Sequence, residues 1–298
     1  MGKSDLAILA CERFGGEIVS VDSMQVYRGL DAGTSKPDAA ARRRVPHHGL
    51  DLADPGRDFS MGDFVRMAEA AMEGMRGRGR LPVLVGGTGL YLRGLLKGIA
   101  EAPRRDSAVR ARLDTIAARR GASFLHRMLQ RVDPEAAGRI RARDRQRVVR
   151  ALEVIVSARR PLSALIRDAP FGPDRWPAVK VGLAMDRAAL YRRIEVRVDR
   201  FFAAGLVGEV RSLVDAGVPA TANAFKALGY RETLRHLAGE ITLDQAMAAT
   251  RQATRRYAKR QWTWFRKEEG VTWFEIDPER DDRFAAPLAF AARALQER

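Results

Sequence analysis

Cysteine occurs once in the 298 residues, at Cys11, so the sequence excludes both a disulfide within the chain and a cysteine zinc cluster. Histidine is nearly as scarce. His47 and His48 are neighbours, His126 and His236 stand alone, and no metal-ligand spacing connects them, which leaves all four with structural roles. No apolar run approaches the roughly 18 residues that a membrane-spanning helix needs. The first residues also lack the charged-then-apolar layout of a secretory signal. The default expectations are a cytoplasmic location and no membrane partner. Acidic residues are few beside basic ones, 37 against 53, and only seven of the basic residues are lysines.

What is present describes a globular protein. Hydrophobic residues make up 46% and charged residues 30%, and the length allows one large domain with an insertion. The net charge of +16 points to a polyanionic partner, nucleic acid above all. Arginine's planar fork suits bidentate phosphate contact better than lysine's point charge does. A codon bias would account for arginine over lysine, but not for the net excess.

Residues 18–36 read I-V-S-V-D-S-M-Q-V-Y-R-G-L-D-A-G-T-S-K. Ile18, Val19 and Val21 predict a buried strand, and Asp22, Ser23 and Gln25 follow at its end. Open α/β sheets bind ligands just beyond the carboxyl ends of their strands. The stretch is therefore the first candidate site, with Asp22 at its centre. Taken alone, an Asp in that place serves equally well as a helix cap.

Gly2-Lys3-Ser4, ahead of an apolar helical run, looks like the end of a phosphate-binding loop of pattern G-x-x-x-x-G-K-[ST]. Helix amides, the Lys3 ammonium and the Ser4 hydroxyl would hold a diphosphate and its Mg²⁺. Residues 37–45 predict a basic helix or loop, and 47–52 a short strand. Residues 59–75 have helical spacing, with Ser60 as the cap. Leu81 to Val85 predict a strand ending in Gly86-Gly87-Thr88-Gly89, where glycine would let the backbone approach a ligand.

From Ala102 to about Trp176 the chain is helical and dense in arginine, including Arg104, Arg110, Arg147 and Arg150. That is the pattern of an insertion that grips a nucleic-acid backbone. Four prolines between 159 and 177 predict a return to the core. Lys180 to Met185 resume the sheet, and Asp186 caps a helix over 188–204 whose Leu190, Ile194, Val198 and Phe201 form one apolar stripe. Arg197 falls at the margin of that stripe, from which it either reaches a ligand or snorkels to water. Residues 250–267 interleave basic side chains with Tyr257, Trp262, Trp264 and Phe265, which suits base stacking and core packing equally. Val271 to Ile276 predict the last strand.

Six ordered motifs span about 240 residues. They are D-S-M-Q-V-Y at 22–27 with D-A-G-T at 31–34, G-G-T-G-L-Y at 86–91, R-Q-R at 145–147 with R-A-L-E-V at 150–154, L-Y-R-R-I at 190–194, G-Y at 229–230 and Y-A-K-R-Q at 257–261. In these the chain resembles the tRNA dimethylallyltransferases, also called tRNA isopentenyltransferases. The resemblance implies a P-loop α/β core similar to nucleotide kinases, built from residues 1–101 and 178–298, with a helical tRNA-binding insertion over 102–177. It implies transfer of a dimethylallyl group from dimethylallyl diphosphate to the exocyclic N6 amine of the adenosine 3′ of the anticodon. Diphosphate is released, Mg²⁺ is the cofactor, and the tRNA anticodon stem-loop is the partner of a monomer.

By the same resemblance Asp22 is the general base, and Arg197 and Thr88 complete the catalytic group. Gly2, Lys3 and Ser4 hold the diphosphate, Ser4 together with the metal. Contacts to tRNA fall to Asp22, Ser23, Met24, Gln25, Thr88, Arg110, Gln146, Arg147, Val148, Val149, Arg150, Lys226, Ala227, Leu228, Gly229, Tyr230 and Arg231. Among these, Gln25 would read a flipped adenine.

Two departures stand out. The family's loop begins G-P-T-A-S-G-K, so this chain has only its end and lacks the first central strand; the expectation is a native product that starts upstream. Arg141-Ala142-Arg143-Asp144 stands where the family has H-P-N-D. One rival reading is a P-loop nucleotide kinase or an adenylate isopentenyltransferase acting on free nucleotide, neither of which needs an arginine-rich insertion. Another is an RNA-binding relative without catalysis, which detectable prenyl transfer would rule out.

Overall fold

The apolar run after Gly2 forms helix α1 (Lys3–Phe14), which ends at a left-handed Gly15 and feeds strand β1 (Gly16–Val21). The computed structural model describes residues 2–98, 103, 105–168 and 173–297; Met1, Arg104 and the expected boundary at residue 102 lie outside them. All six β1 residues are buried. After the short α2 (Ala39–Arg44), the two-residue β2 (His47–His48) pairs with β1 in parallel. Helix α3 (Met61–Gly77) follows, with Ser60 and Asp63 in a reciprocal capping box. Strand β3 (Leu81–Gly86) then pairs with the other edge of β1, also in parallel, and leads into α4 (Gly89–Lys97).

The strand expected over 47–52 stops at His48, because Gly49 and Asp51 both adopt positive φ (86° and 56°), which extended backbone cannot. Helix α1 covers one face of the sheet, packing Ala7, Ile8 and Cys11 against Ile18 and Val45. Burial pushes the Cys11 thiol up to about 12, so the single cysteine is an inert core residue.

The chain divides into two compact units, Met1–Leu95 with Trp176–Arg298, and Leu96–Arg175. The second unit is helical among its described residues: α5 (Ser107–Arg120), α6 (Ala122–Val132), α7 (Pro134–Arg139), α8 (Arg145–Ala158) and α9 (Leu162–Asp168). Its core includes Leu113, Leu125, Leu129, Val148 and Leu152. Residues 162–168, read from sequence as part of a return to the core, instead form α9. Its Ser163 amide donates to the buried Asp133 carboxylate at 2.9 Å.

In the first unit, β4 (Lys180–Ala184) leads to α10 (Arg187–Ala203), α11 (Leu206–Asp215), a 3-10 turn at Asn223–Lys226, α12 (Tyr230–Leu237) and α13 (Leu243–Phe265). Strand β5 (Val271–Glu275) pairs in parallel with β4, and α14 (Ala285–Gln296) closes the described chain. The strands thus form two sheets among the described residues, ordered β2-β1-β3 and β4-β5. A core of Tyr27, Leu30, Phe201, Leu206, Phe225 and Tyr230 joins the segment after β1 to α10–α12. Among the described residues no helix is long and apolar enough to cross a membrane.

Glu153 is fully buried in the helical unit and accepts from Arg110 (2.8 Å), Arg150 (3.1 Å) and the Asp106 amide (2.7 Å). Burial pushes its carboxyl up, but the hydrogen bonds from Arg110, the Asp106 amide and Arg150 outweigh that and hold it below its ordinary value of 4.5. Glu153→Gln should therefore cost about 2–4 kcal/mol, at the low end of a broken buried ion pair because Arg150 is partly exposed. A folded-state pKa below the unfolded one means the contribution is complete above that ordinary value and lost as pH falls through the lower folded value. In urea titrations of the full chain, the gap between wild type and variant should close over that acid range.

Candidate active site

At the carboxyl end of β1 the backbone turns sharply, and Asp22 makes the turn. Its Oδ1 accepts the amides of Met24 (2.8 Å) and Gln25 (3.3 Å), while Oδ2 has no hydrogen-bond partner among the described residues. One oxygen fixes the carboxylate, leaving the other to act on a ligand. Met24 packs against the core, and the Ser23 amide donates to Thr88 Oγ1 at 3.2 Å. Gln25 is anchored within the protein: its Oε1 accepts from Ser20 Oγ (2.7 Å), and its Nε2 donates to the carbonyls of Thr34 (3.0 Å) and Ser35 (3.1 Å). Both amide protons are thus committed to the fold, and a base expected at Gln25 could meet only the second lone pair of Oε1.

The loop that Gln25 holds, residues 31–36, is tied at both ends. Glu209 on α11 accepts the amides of Asp31 and Ala32 and the hydroxyl of Tyr230, and the Gly33 amide donates to that same hydroxyl at 3.3 Å. At the other end the Lys36 ammonium donates to the Tyr27 carbonyl (2.6 Å), Asp31 (2.7 Å) and Asp51 (2.5 Å).

Lys3, Arg197 and Tyr257 all feel the Asp22 charge, the Ser23 amide ties Thr88 to the same corner, and Ser35 ties Arg197 to the loop that Gln25 holds. Lys3 opens α1 behind Gly2, which takes the left-handed N-cap position (φ 76°) with no side-chain cap, so the first helix amides are free to meet an anion. Burial lowers the Lys3 ammonium from its usual value, Arg197 lowers it further, and Asp22 opposes both. Arg197 on α10 is likewise lowered by its surroundings, with Asp22 and Tyr257 acting against that, although its side chain stays open to solvent. Tyr257 on α13 is raised by burial and by Asp22, while hydrogen bonds to Gln261 and Thr88 lower it. Tyr257 carries no local signature of a site residue in the sequence, because its neighbour Thr88 lies 169 residues away.

The G-G-T-G turn after β3 serves packing. A Cβ on Gly87 would overlap the Gln261 side chain, and one on Gly89 would overlap the Trp264 indole. The expected close approach is to α13, and Gln261 Nε2 donates to the Gly87 carbonyl at 3.1 Å. Trp264 also lines a groove of about 650 Å³ beside the same helix, together with Arg93, Arg256, Lys259, Arg260, Thr263 and Lys267. Arg93 stacks over Trp264 (4.6 Å to the ring centroid) and pairs with Glu268 at 2.9 Å. The other four cations make no ion pair among the described residues. Arg251 and Arg255, by contrast, pair with Asp199 and Glu195 of α10. The basic-aromatic helix is thus divided by face, one for packing and one open.

Residues 25–268 match the model of the IPP transferase family. The chain belongs to that family. It is 48% identical over 289 residues to the tRNA dimethylallyltransferase of Geobacter metallireducens, covering 97% of this chain and 94% of the relative. It is 47% identical over 300 residues to that of Anaeromyxobacter sp. (strain K), covering 100% and 94%. The fold matches the full-length tRNA isopentenylpyrophosphate transferase of Bacillus halodurans with a TM-score of 0.72 at 37% identity, covering 99% and 93% of the two chains. A eukaryotic dimethylallyltransferase acting on tRNA shares the fold with a TM-score of 0.84 at 24% identity, covering all of this chain and 77% of its own.

The expected tRNA contacts of this IPP transferase fare unequally. In the helical unit Gln146 and Arg147 face solvent, but Val148 and Val149 are turned into the core. Arg110 and Arg150 are engaged by the buried Glu153, so they first serve the fold. In the first unit Lys226 and Arg231 are exposed, Leu228 is half-buried, and Gly229 caps α12. Ala227 and Tyr230 are buried in the core, so their side chains serve the fold. All four histidines are held by internal hydrogen bonds, and among the described residues no cluster of three or more His, Cys, Asp or Glu could hold a metal. Gln25→Ala removes three hydrogen bonds from the Asp22 corner and should lower stability by about 1–3 kcal/mol, read as a shifted denaturant midpoint.

Proposed function

We propose that the chain transfers a dimethylallyl group from dimethylallyl diphosphate to the N6 amine of the adenosine 3′ of the anticodon in tRNA, releasing diphosphate. The observation that carries this reading is the meeting of an anchored carboxylate, Asp22, with two cations, Lys3 and Arg197, at the end of β1. An adenine amine is a weak nucleophile. As the new N–C bond forms and the allylic C–O bond breaks, Asp22 Oδ2 takes the amine proton. Lys3, Arg197 and the first amides of α1 face the charge that grows on the departing diphosphate. Thr88, held between the Ser23 amide and Tyr257, borders the same space.

Ser4 suits a magnesium ion by residue type. Its hydroxyl is a hard oxygen, exposed in the first turn of α1 and without a hydrogen-bond partner among the described residues. Mg²⁺ held there with the diphosphate would offset that group's charge. For the RNA, the groove cations Arg256, Lys259, Arg260 and Lys267 and the exposed Gln146 and Arg147 suit phosphate contact. In this reading the helical unit is a tRNA-binding insertion. A kinase or free-nucleotide enzyme has no use for so many exposed cations.

Asp22→Asn keeps the oxygen that accepts the Met24 and Gln25 amides but cannot take a proton. Transfer from labelled dimethylallyl diphosphate to unmodified tRNA should fall by about 10²–10⁴-fold, with tRNA affinity within a few-fold of wild type. Full activity in this variant would refute the base assignment, and faster turnover of free nucleotide than of tRNA would refute the substrate. Replacing Arg256 and Arg260 with Ala should reduce the slope of log affinity for tRNA against log salt by about two.

A further inference from the structure

Ser35 stands at φ 52°, in the left-handed region that non-glycine residues seldom occupy, and its exposed hydroxyl accepts Nε of Arg197 at 3.1 Å across 162 residues of sequence. The guanidinium is also stacked over the Phe201 ring, 5.4 Å from its centroid, and Phe201 is buried in the core. These two contacts hold the group from the Nε side and from one face. Among the described residues the terminal nitrogens Nη1 and Nη2 have no hydrogen-bond partner. An arginine so held offers its Nη1–Nη2 edge as a fork, the geometry that takes two oxygens of a phosphate group at once.

The place of Ser35 is not free to drift. Its carbonyl and that of Thr34 accept Gln25 Nε2, and the neighbouring Lys36 is locked to Tyr27, Asp31 and Asp51. The 31–36 loop thus ties the Asp22 turn to Arg197. We infer that Ser35 is a positioning residue for the transfer reaction: its hydroxyl orients Arg197 so that the Nη1–Nη2 edge meets the diphosphate of the allylic substrate. This rests on the reading of Arg197 as a diphosphate ligand.

The test uses the full chain with Ser35→Ala, Ser35→Gly and Ser35→Asn, and Ser35→Ala again in an Arg197→Ala background. Binding of inorganic diphosphate is measured by calorimetry, and KM is measured separately for dimethylallyl diphosphate and for tRNA. Ala and Gly should each weaken diphosphate binding about 5- to 10-fold, the loss of one charge-assisted hydrogen bond at an open site. Each should raise KM for dimethylallyl diphosphate while leaving KM for tRNA unchanged. Asn tolerates left-handed backbone and carries an acceptor oxygen, so it should restore most of the loss. In the Arg197→Ala background, Ser35→Ala should add nothing.

Wild-type diphosphate binding in Ser35→Ala overturns the proposal. So does an impaired Ala beside a normal Gly, which would make backbone strain the cause, and so does an undiminished effect without Arg197. If Arg197→Ala alone leaves diphosphate binding unchanged, the underlying assignment of Arg197 has failed, a result separate from those three.

Discussion

The Lys36 ammonium is almost wholly withdrawn from water, with 3% of its side chain exposed, and the candidate site is built around what it holds. An ammonium in that position is tolerable only with opposite charge and full hydrogen bonding. It receives both, from Asp31, Asp51 and the Tyr27 carbonyl. The three partners belong to different pieces: Tyr27 ends the turn that Asp22 starts, Asp31 opens the next loop, and Asp51 lies beyond β2. Because one cation satisfies all three, the pieces keep a fixed spacing. The carbonyls that hold Gln25 and the hydroxyl that meets Arg197 inherit that spacing. The carboxylate read as a base and a cation read as a leaving-group ligand therefore share one foundation, although they sit on elements far apart in sequence.

The parts of this arrangement legible in the sequence were those with a local signature. A run of Ile18, Val19 and Val21 ending in Asp22 is a strand delivering a carboxylate, and the structure has both. Asp186 before a stripe of Ile194, Val198 and Phe201 marked a capped amphipathic helix, with Arg197 on its margin. The parts that stayed hidden depend on partners far along the chain. Gln25 reads as a ligand-binding amide until Ser20, Thr34 and Ser35 are seen to use it. Gly87 and Gly89 read as room for a ligand until Gln261 and Trp264 are seen to fill it. In R-V-V-R at 147–150 the two valines and the apolar Leu152 define a helix face, so the burial of Val148 and Val149 follows from spacing alone.

The charge of the chain is likewise not one quantity with one use. Arg78 at Glu17, Arg110 and Arg150 at Glu153, and Arg251 and Arg255 at Asp199 and Glu195 of α10 are internal fasteners, each offset by a carboxylate close by. Lys3 and Arg197 are different: burial lowers each one's hold on its proton, Arg197 lowers that of Lys3 further, and Asp22 acts against the lowering at both. Arg256, Lys259, Arg260 and Lys267 line one groove and make no ion pair among the described residues. Crowding like charges costs stability in the empty protein, an amount that screening by salt reduces but does not remove. A multiply charged anion reverses the sign of that cost at each place: a diphosphate at the corner of β1, a polyphosphate backbone along the groove. The unpaired cations, and not the total, are what set this chain apart from an arginine-rich protein whose charges merely balance.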